Sequence, residues 1–312
     1  MAVSTFHPTQ DMLLPIGTAY YRFLPHPYFS DDRQEVFVLE GGEAFVYRIQ
    51  HMGDKQDYAL KVMKPAFRDS STLQITRYLA QHMNTPGLFL ARRLCLTQEH
   101  YPELIRRFPD LEYAVLMPWI EGRTWAGLML DPVASVQYTP SNARKLAAAT
   151  AYVLWNLEGR SLAHTDIAGG NVLLSPDMRQ IQLIDLDSLY IPGTKMPKKR
   201  SRGSPGYQHP KQDERGQWRP DGDRFAGAIL LTEMLTWWNP VVRAETPEGS
   251  ESLFTPQELQ RQDFSRWRRV RRTLEQMNPA LRDLFDQAWH AQKIEDCPDF
   301  STWSMWMGTS FV

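Results

Sequence analysis

The pattern of apolar and polar positions changes texture along the chain. Between residues 35 and 63, β-branched and aromatic residues come in short stretches, "EVFVLE", "EAFVYRIQ" and "DYALKV", broken at Gly41-Gly42 and Gly53-Asp54. Apolar stretches punctuated in this way predict successive antiparallel strands. "STLQITRYLAQHM" (71–83) has helical spacing, and "EYAVLMPWI" (112–120) reads as a buried strand stopped by Glu121-Gly122. From residue 139 onward the pattern turns helical. "TPSNARKLAAATAYVLWNLEGR" offers Thr139 or Ser141 as a cap and Gly159 as a stop, and "DRFAGAILLTEMLTWWN" (223–239) is apolar enough to be a central helix. "FTPQELQRQ" (254–262) has a helix-start signature, with Thr255 as N-cap, Pro256 at the first helical position and Glu258 behind it. The first 30 residues are less legible. The expectation is an α+β fold, β-rich in its first third and mostly helical afterwards.

Composition narrows the class. The chain has 312 residues, 42% hydrophobic and 23% charged, which suits one large domain or two lobes. A formal net charge of −1 provides no long-range attraction for nucleic acid or an anionic membrane, so neither partner is expected. Cys95 and Cys297 stand far apart and read as two packed thiols in a reducing compartment rather than a disulfide or metal framework. No apolar run reaches roughly 18 residues, and the N-terminus lacks a basic segment followed by an apolar one, so a cytoplasmic location is expected. The basic run "KMPKKRSR" (195–202) reads as a solvated loop.

The candidate chemistry lies in "LAHTDIAGGNVLLSPDMRQIQLIDLDSL" (162–189), which spaces His164, Asp166, Asn171 and Asp185. Phosphoryl transfer from ATP needs a carboxylate to orient the accepting hydroxyl, oxygen ligands for magnesium and a cation on the nucleotide phosphates. "HTDIAGGN" and "DLD" resemble the catalytic loop and metal-binding motif of the protein kinase family. That resemblance implies Asp166 as catalytic base and Asn171 and Asp185 as ligands of Mg2+ or Mn2+, with Leu186 and Asp187 replacing the usual phenylalanine and glycine.

Further motifs follow in the family's order. "YALKV" resembles the strand whose lysine, here Lys61, holds the α- and β-phosphates, with Ala59 against adenine. "LEGGEAFVYRI" resembles the glycine-rich loop, aligning Leu39, Gly41 and Ala44 with its glycine positions, Gly42 and Glu43 at its tip, and Val46 on adenine. "VLMPWIEG" resembles the hinge, implying Met117 as gatekeeper and the Pro118 carbonyl and Ile120 N–H facing adenine; Leu173 completes the implied cofactor-binding set. "GSPGYQHP" (203–210) resembles the end of an activation segment, Asp223 is implied to brace the catalytic loop, and "AWHAQKIEDCPDFSTW" (288–303) resembles the closing helices. The implied organisation is an N-terminal extension (1–30), an N-lobe (31–118) and a C-lobe (119–308). The implied activity is ATP- and magnesium-dependent phosphorylation of a protein substrate, on serine or threonine, with a regulatory protein as a further expected partner.

Several positions depart from the family pattern. No acidic residue occurs between Asp69 and Glu99, and the helix glutamate that usually pairs with the strand lysine falls near Gln74. The arginine before the catalytic aspartate is Thr165, which removes the usual dock for a phosphorylated activation loop, so loop phosphorylation is not expected to be the main switch. Ala168, Gly169 and Gly170 replace the segment where serine/threonine kinases carry a lysine, which leaves the target residue type open. "HPK" places Lys211 where a glutamate is usual, and Cys297 stands for its arginine partner, suggesting a charge-reversed bridge from Lys211 to Asp296 or Asp299. Two alternatives stay open: a pseudokinase acting as a scaffold or binding module, and a small-molecule kinase of the aminoglycoside or choline kinase type.

Overall fold

The computed structural model describes residues 6–10, 12–26, 35–194, 196 and 203–307. The chain is α+β and divides into two compact units, residues 1–84 with 89–121, and residues 85–88 with 122–312. The basic run at 195–202 lies outside the described residues except for Met196.

The first unit is built on a seven-stranded antiparallel sheet. Its strands are β1 (Leu13–Ile16), β2 (Ala19–Phe23), β3 (Val38–Glu40), β4 (Ala44–His51), β5 (Asp57–Met63), β6 (Leu94–Cys95) and β7 (Val115–Pro118). The path runs β1-β2-β4-β5-β7-β6, and β3 pairs with the first half of β4 while β2 pairs with its end. Alternate residues face opposite sides of a strand, and Tyr47, Leu60 and Leu116, which pair across β4, β5 and β7, point into one apolar core with Ile49 and Val62. Each such side chain contributes about 1.5–3 kcal/mol by leaving water. The short helices α1 (Ser71–Leu79) and α2 (Pro102–Arg107) complete the unit.

Residues 13–23, expected within an N-terminal extension, instead form a hairpin on the edge of this sheet. Leu14, Ile16, Tyr21 and Phe23 are buried in its core, and Gly17 supplies the left-handed turn at φ 62°. The alternation is clean but only two buried residues long on each strand, too short to stand out from a polar background.

The second unit opens with a three-stranded sheet of β8 (Arg123–Thr124), β9 (Val172–Leu174) and β10 (Ile181–Leu183). Its helices are α3 (Trp125–Leu130), α4 (Pro132–Gln137), α5 (Pro140–Glu158), α6 (Arg224–Thr236), α7 (Pro240–Glu245), α8 (Ser265–Met277), α9 (Pro279–His290) and α10 (Phe300–Trp306). Of the two caps the sequence offers for α5, Thr139 is the one used, accepting the Asn142 N–H, with Pro140 in the first helical position and the expected stop at Gly159. Helix α6 is buried on all sides from Phe225 to Thr236, which fits its lack of a polar face. A side chain at Gly227 would run into the Phe300 ring, so α10 can lie this close to α6 only over glycine. The helix expected at 254–262 is reduced to a single 3-10 turn, Glu258–Gln260. Thr255 and Glu258 do form the reciprocal cap, but the Glu258 carboxylate also takes the Arg266 guanidinium, and the polar run Gln260–Asp263 offers no apolar face to propagate.

Candidate functional site

In the first unit, the sheet face opposite the core gathers much of the implied nucleotide set. Val46 pairs with Lys61, and Lys61 with Val115; in the adjacent row Arg48 pairs with Ala59, and Ala59 with Met117. Cross-strand partners share a face, so Val46, Ala59, Lys61 and Met117 stand together away from Tyr47 and Leu60. Lys61 is only 7% exposed, which sets it apart from an ordinary surface lysine. Gly41 and Gly42 form the turn from β3 to β4, closed by the Gly41 N–H on the Ala44 carbonyl at 2.9 Å. The Asp57 carbonyl accepts the Trp119 N–H, which puts the Tyr58–Pro118 pair at the non-hydrogen-bonded register of β5 and β7. The missing N–H of Pro118 therefore costs the ladder nothing, and its carbonyl points away from β5. Ile120 follows two residues on and is half-buried.

In the second unit, the loop carrying Asp166 is held from beneath by Asp223. The two Asp223 oxygens accept the backbone N–H groups of His164 at 2.6 Å and Thr165 at 2.8 Å. Burial pushes the Asp223 carboxyl up to about 6, against the pull of these donors and of His164. The His164 ring nitrogen Nε2 reaches the Ile184 carbonyl at 2.8 Å, and the Asn171 carbonyl accepts the Ile184 N–H at 3.0 Å, tying the loop to the strand that delivers Asp185. Thr165 is buried with φ 64°, a left-handed conformation that strains a β-branched residue, and its hydroxyl donates to the Ser188 carbonyl. Thr165 thus ties the loop that carries Asp166 to the segment after Asp185.

Asp166, Asn171, Asp185 and Ser204 line one cleft of about 410 Å³. The Ser204 hydroxyl donates to Asp166 Oδ1 at 2.9 Å. Gly169 sits so close to Tyr207, Trp125 and the Ala126 backbone that a Cβ would lie 3.0 Å from the Tyr207 hydroxyl, which explains a glycine in this loop. Tyr207 also lines the cleft, and its hydroxyl donates to Glu233 at 2.7 Å. Glu233 further accepts the Trp125 indole N–H at 3.0 Å and the Leu253 N–H at 2.7 Å, and burial pushes its carboxyl up to about 7. Leu173 is half-buried in the middle of β9 and does not line this cleft.

The oxygen donors fit magnesium. The Asn171 amide nitrogen donates to the Asp166 carbonyl at 2.9 Å, which turns its side-chain oxygen the other way, and Asp185 is exposed and held at φ 60° at the head of a 3-10 turn. Carboxylate and amide oxygens suit a hard cation. Among the described residues no cluster of three or more His, Cys, Asp or Glu forms a self-sufficient cation cage. A two-residue set of this kind relies on ligand phosphates for the rest of the coordination.

Two expectations are corrected. Gln74 is exposed, and the inward positions of α1 are Thr72, Ile75, Thr76 and Leu79, so the helix presents no carboxylate or amide from its buried face. Lys211 bonds the Gln292 side chain, while Asp296 caps the Lys293 N–H and Asp299 caps α10, so the charge-reversed bridge does not form. The charged tie between this segment and the closing helices comes instead from Arg219, paired with Asp213 and with Glu295 at 3.0 Å, beside the neutral contacts Lys211–Gln292 and His209 to the Ala291 carbonyl. Ser204, Tyr207 and Glu233 were missing from the sequence-derived site. The signal for Ser204 and Tyr207 is present in "GSPGY", but Glu233 reads there as one polar residue in an apolar helix. No protein-family model matches the chain, and no curated protein matches it.

Proposed function

We propose that this chain is an ATP- and magnesium-dependent protein kinase with a two-lobed, protein-kinase-like fold, acting on a serine or threonine hydroxyl. The observation that carries the reading is the Ser204 hydroxyl donating to Asp166 at 2.9 Å, in a cleft that Asn171 and Asp185 also line. An acceptor hydroxyl needs this kind of contact with a carboxylate that orients it and takes its proton. Bound Mg-ATP supplies the transferable γ-phosphoryl group and screens its charge. The chain's own residues do the rest: Asp166 positions the acceptor oxygen, Asn171 and Asp185 offer the cation ligands, Lys61 offers the countercharge for phosphates, and Val46, Ala59 and Met117 offer the apolar face for a base.

Intact mass and ADP release after incubation with Mg-ATP and a serine-containing peptide mixture test this reading. Wild type should add phosphoryl groups to protein or peptide, and Asp166→Ala should lose about 10²–10⁴-fold in rate. ADP release without any phosphorylated protein or peptide would favour a small-molecule acceptor. A specific observation favours the scaffold reading, namely that no carboxylate faces inward on α1. Nucleotide binding with no transfer at all would decide for it.

A further inference from the structure

The cleft beside Asp166 has a wall made by the segment that follows α7. Ser250, Glu251, Ser252, Phe254, Thr255 and Pro256 all line it. The backbone of this wall is fixed at several points. The Tyr207 hydroxyl lies 3.3 Å from the Glu251 carbonyl, Glu233 holds the Leu253 N–H at 2.7 Å, and the Ser252 hydroxyl donates to the Phe254 carbonyl at 2.7 Å. Beyond it, Thr255 and Glu258 close the reciprocal cap. A wall pinned by its main chain presents its side chains at fixed places. Glu251 is exposed on it, and its carboxylate has no ion-pair or hydrogen-bond partner among the described residues.

The lining carries the carboxylates Asp166, Asp185 and Glu251 and no Lys, Arg or His among the described residues. On the proposed function, on which this inference rests, bound magnesium offsets Asp185 and the acceptor hydroxyl engages Asp166. Glu251 is then the carboxylate left to face the residues flanking that hydroxyl. We propose that Glu251 is a specificity-determining residue that selects acceptor peptides with a lysine or arginine beside the target hydroxyl. An unpaired carboxylate at the edge of a cleft attracts a cationic side chain and repels an acidic one, and an exposed pair of this kind shifts discrimination by about threefold to fivefold.

The test is an array of serine peptides that differ at one flanking position, Arg, Ala or Glu, incubated with the full chain and Mg-ATP, for wild type, Glu251→Gln and Glu251→Lys. Wild type should phosphorylate the Arg peptide at least about threefold faster than the Ala peptide at one position or more. Glu251→Gln should bring that ratio near one, and Glu251→Lys should turn it toward the Glu peptide. Because each ratio is taken within one variant, a change in overall rate does not disturb it. Transfer with no charge preference, or a preference that survives both substitutions, overturns the role of Glu251 while leaving the kinase reading in place. Absence of transfer by wild type on every peptide overturns the kinase reading instead, and retention of fluorescently labelled protein on the same array then decides the inference. Retention on Arg peptides that Glu251→Lys abolishes keeps it, and retention without charge dependence removes it.

Discussion

Asp223 and Glu233 stand at opposite ends of one buried helix, ten residues and roughly 15 Å apart, and hold down two different pieces of the same cleft. Both are buried carboxylates with raised pKa values, yet they are satisfied in different ways. Asp223 takes two backbone N–H groups of the loop that carries Asp166. Glu233 takes two side chains, Trp125 and Tyr207, and one backbone N–H from the wall at Leu253. A backbone clamp is indifferent to the side chains it holds, so the side chain at position 165 can change without loosening the loop. A side-chain clamp depends on residue identity, so the wall of the cleft is open to change in a way that the loop carrying Asp166 is not.

The largest effects are expected at the two clamps. Asp223→Ala would orphan the N–H groups of His164 and Thr165, which are 0% and 2% exposed and have no route to water. The cost should be about 3–5 kcal/mol, read as a fall in Tm of roughly 10 °C, with phosphoryl transfer lost alongside. Asp223→Asn keeps one acceptor oxygen and should recover about half of the stability. Glu233→Ala should cost a comparable amount, because it orphans the Trp125 indole N–H, the Tyr207 hydroxyl and the Leu253 N–H, in residues that are 0%, 2% and 0% exposed. A loss below about 1 kcal/mol for either variant, measured by thermal unfolding, would show that water or a neighbouring group replaces that clamp.

The next effect is one of pH. The Glu233 carboxyl has an ordinary value of 4.5 and is pushed up to about 7, so the folded chain holds that proton more tightly than the unfolded chain does. Its stabilising contribution is complete below about pH 4.5 and is lost as pH rises through 7, by an amount on the order of 3 kcal/mol. Asp223, raised to about 6, acts in the same direction over a lower window. His209 acts in the opposite direction, since burial lowers its pKa and its contribution grows as pH rises through the ordinary histidine range. The difference between wild type and Glu233→Gln isolates the glutamate. The stability of wild type relative to the variant should fall between pH 5 and 8, and a difference that stays constant would mean that Glu233 keeps its charge state across that range.

How much of this was legible depends on the range of the interactions. Strands β4 and β5 and helices α5 and α6 were readable because their signals are local: turn glycines, an N-cap at Thr139, and a helix with no polar face. The spacing of Asp166, Asn171 and Asp185 was readable for the same reason, and they do line one cleft. The β1–β2 hairpin was missed because its alternation is short, and the helix at 254–262 was overcalled because a sound cap says nothing about whether the next turn has a face to bury. Gln74 was placed by counting along a motif, but the helical phase that decides which residues face inward is set by packing of Ile75 and Leu79. The anchoring of the wall by Glu233 joins residues far apart in the chain and left no local pattern to read.

The smallest effect is expected at Thr165, where the Asp223 clamp holds backbone alone. Thr165 contributes its N–H to Asp223 through the backbone, so any residue there except proline keeps that bond; its hydroxyl alone reaches the Ser188 carbonyl. Thr165→Ser retains the donor and removes a methyl group from a strained left-handed position, so stability should stay within about 0.5 kcal/mol. Thr165→Val keeps the shape and leaves the Ser188 carbonyl without its donor, at a cost of about 1 kcal/mol, with a larger relative loss in transfer rate than in Tm because the segment after Asp185 is no longer tied to the loop. Equal behaviour of the serine and valine variants in both measurements would show that the Ser188 contact contributes nothing. The organisation of the loop would then rest on the Asp223 clamp alone, with the side chain at 165 a passenger on it.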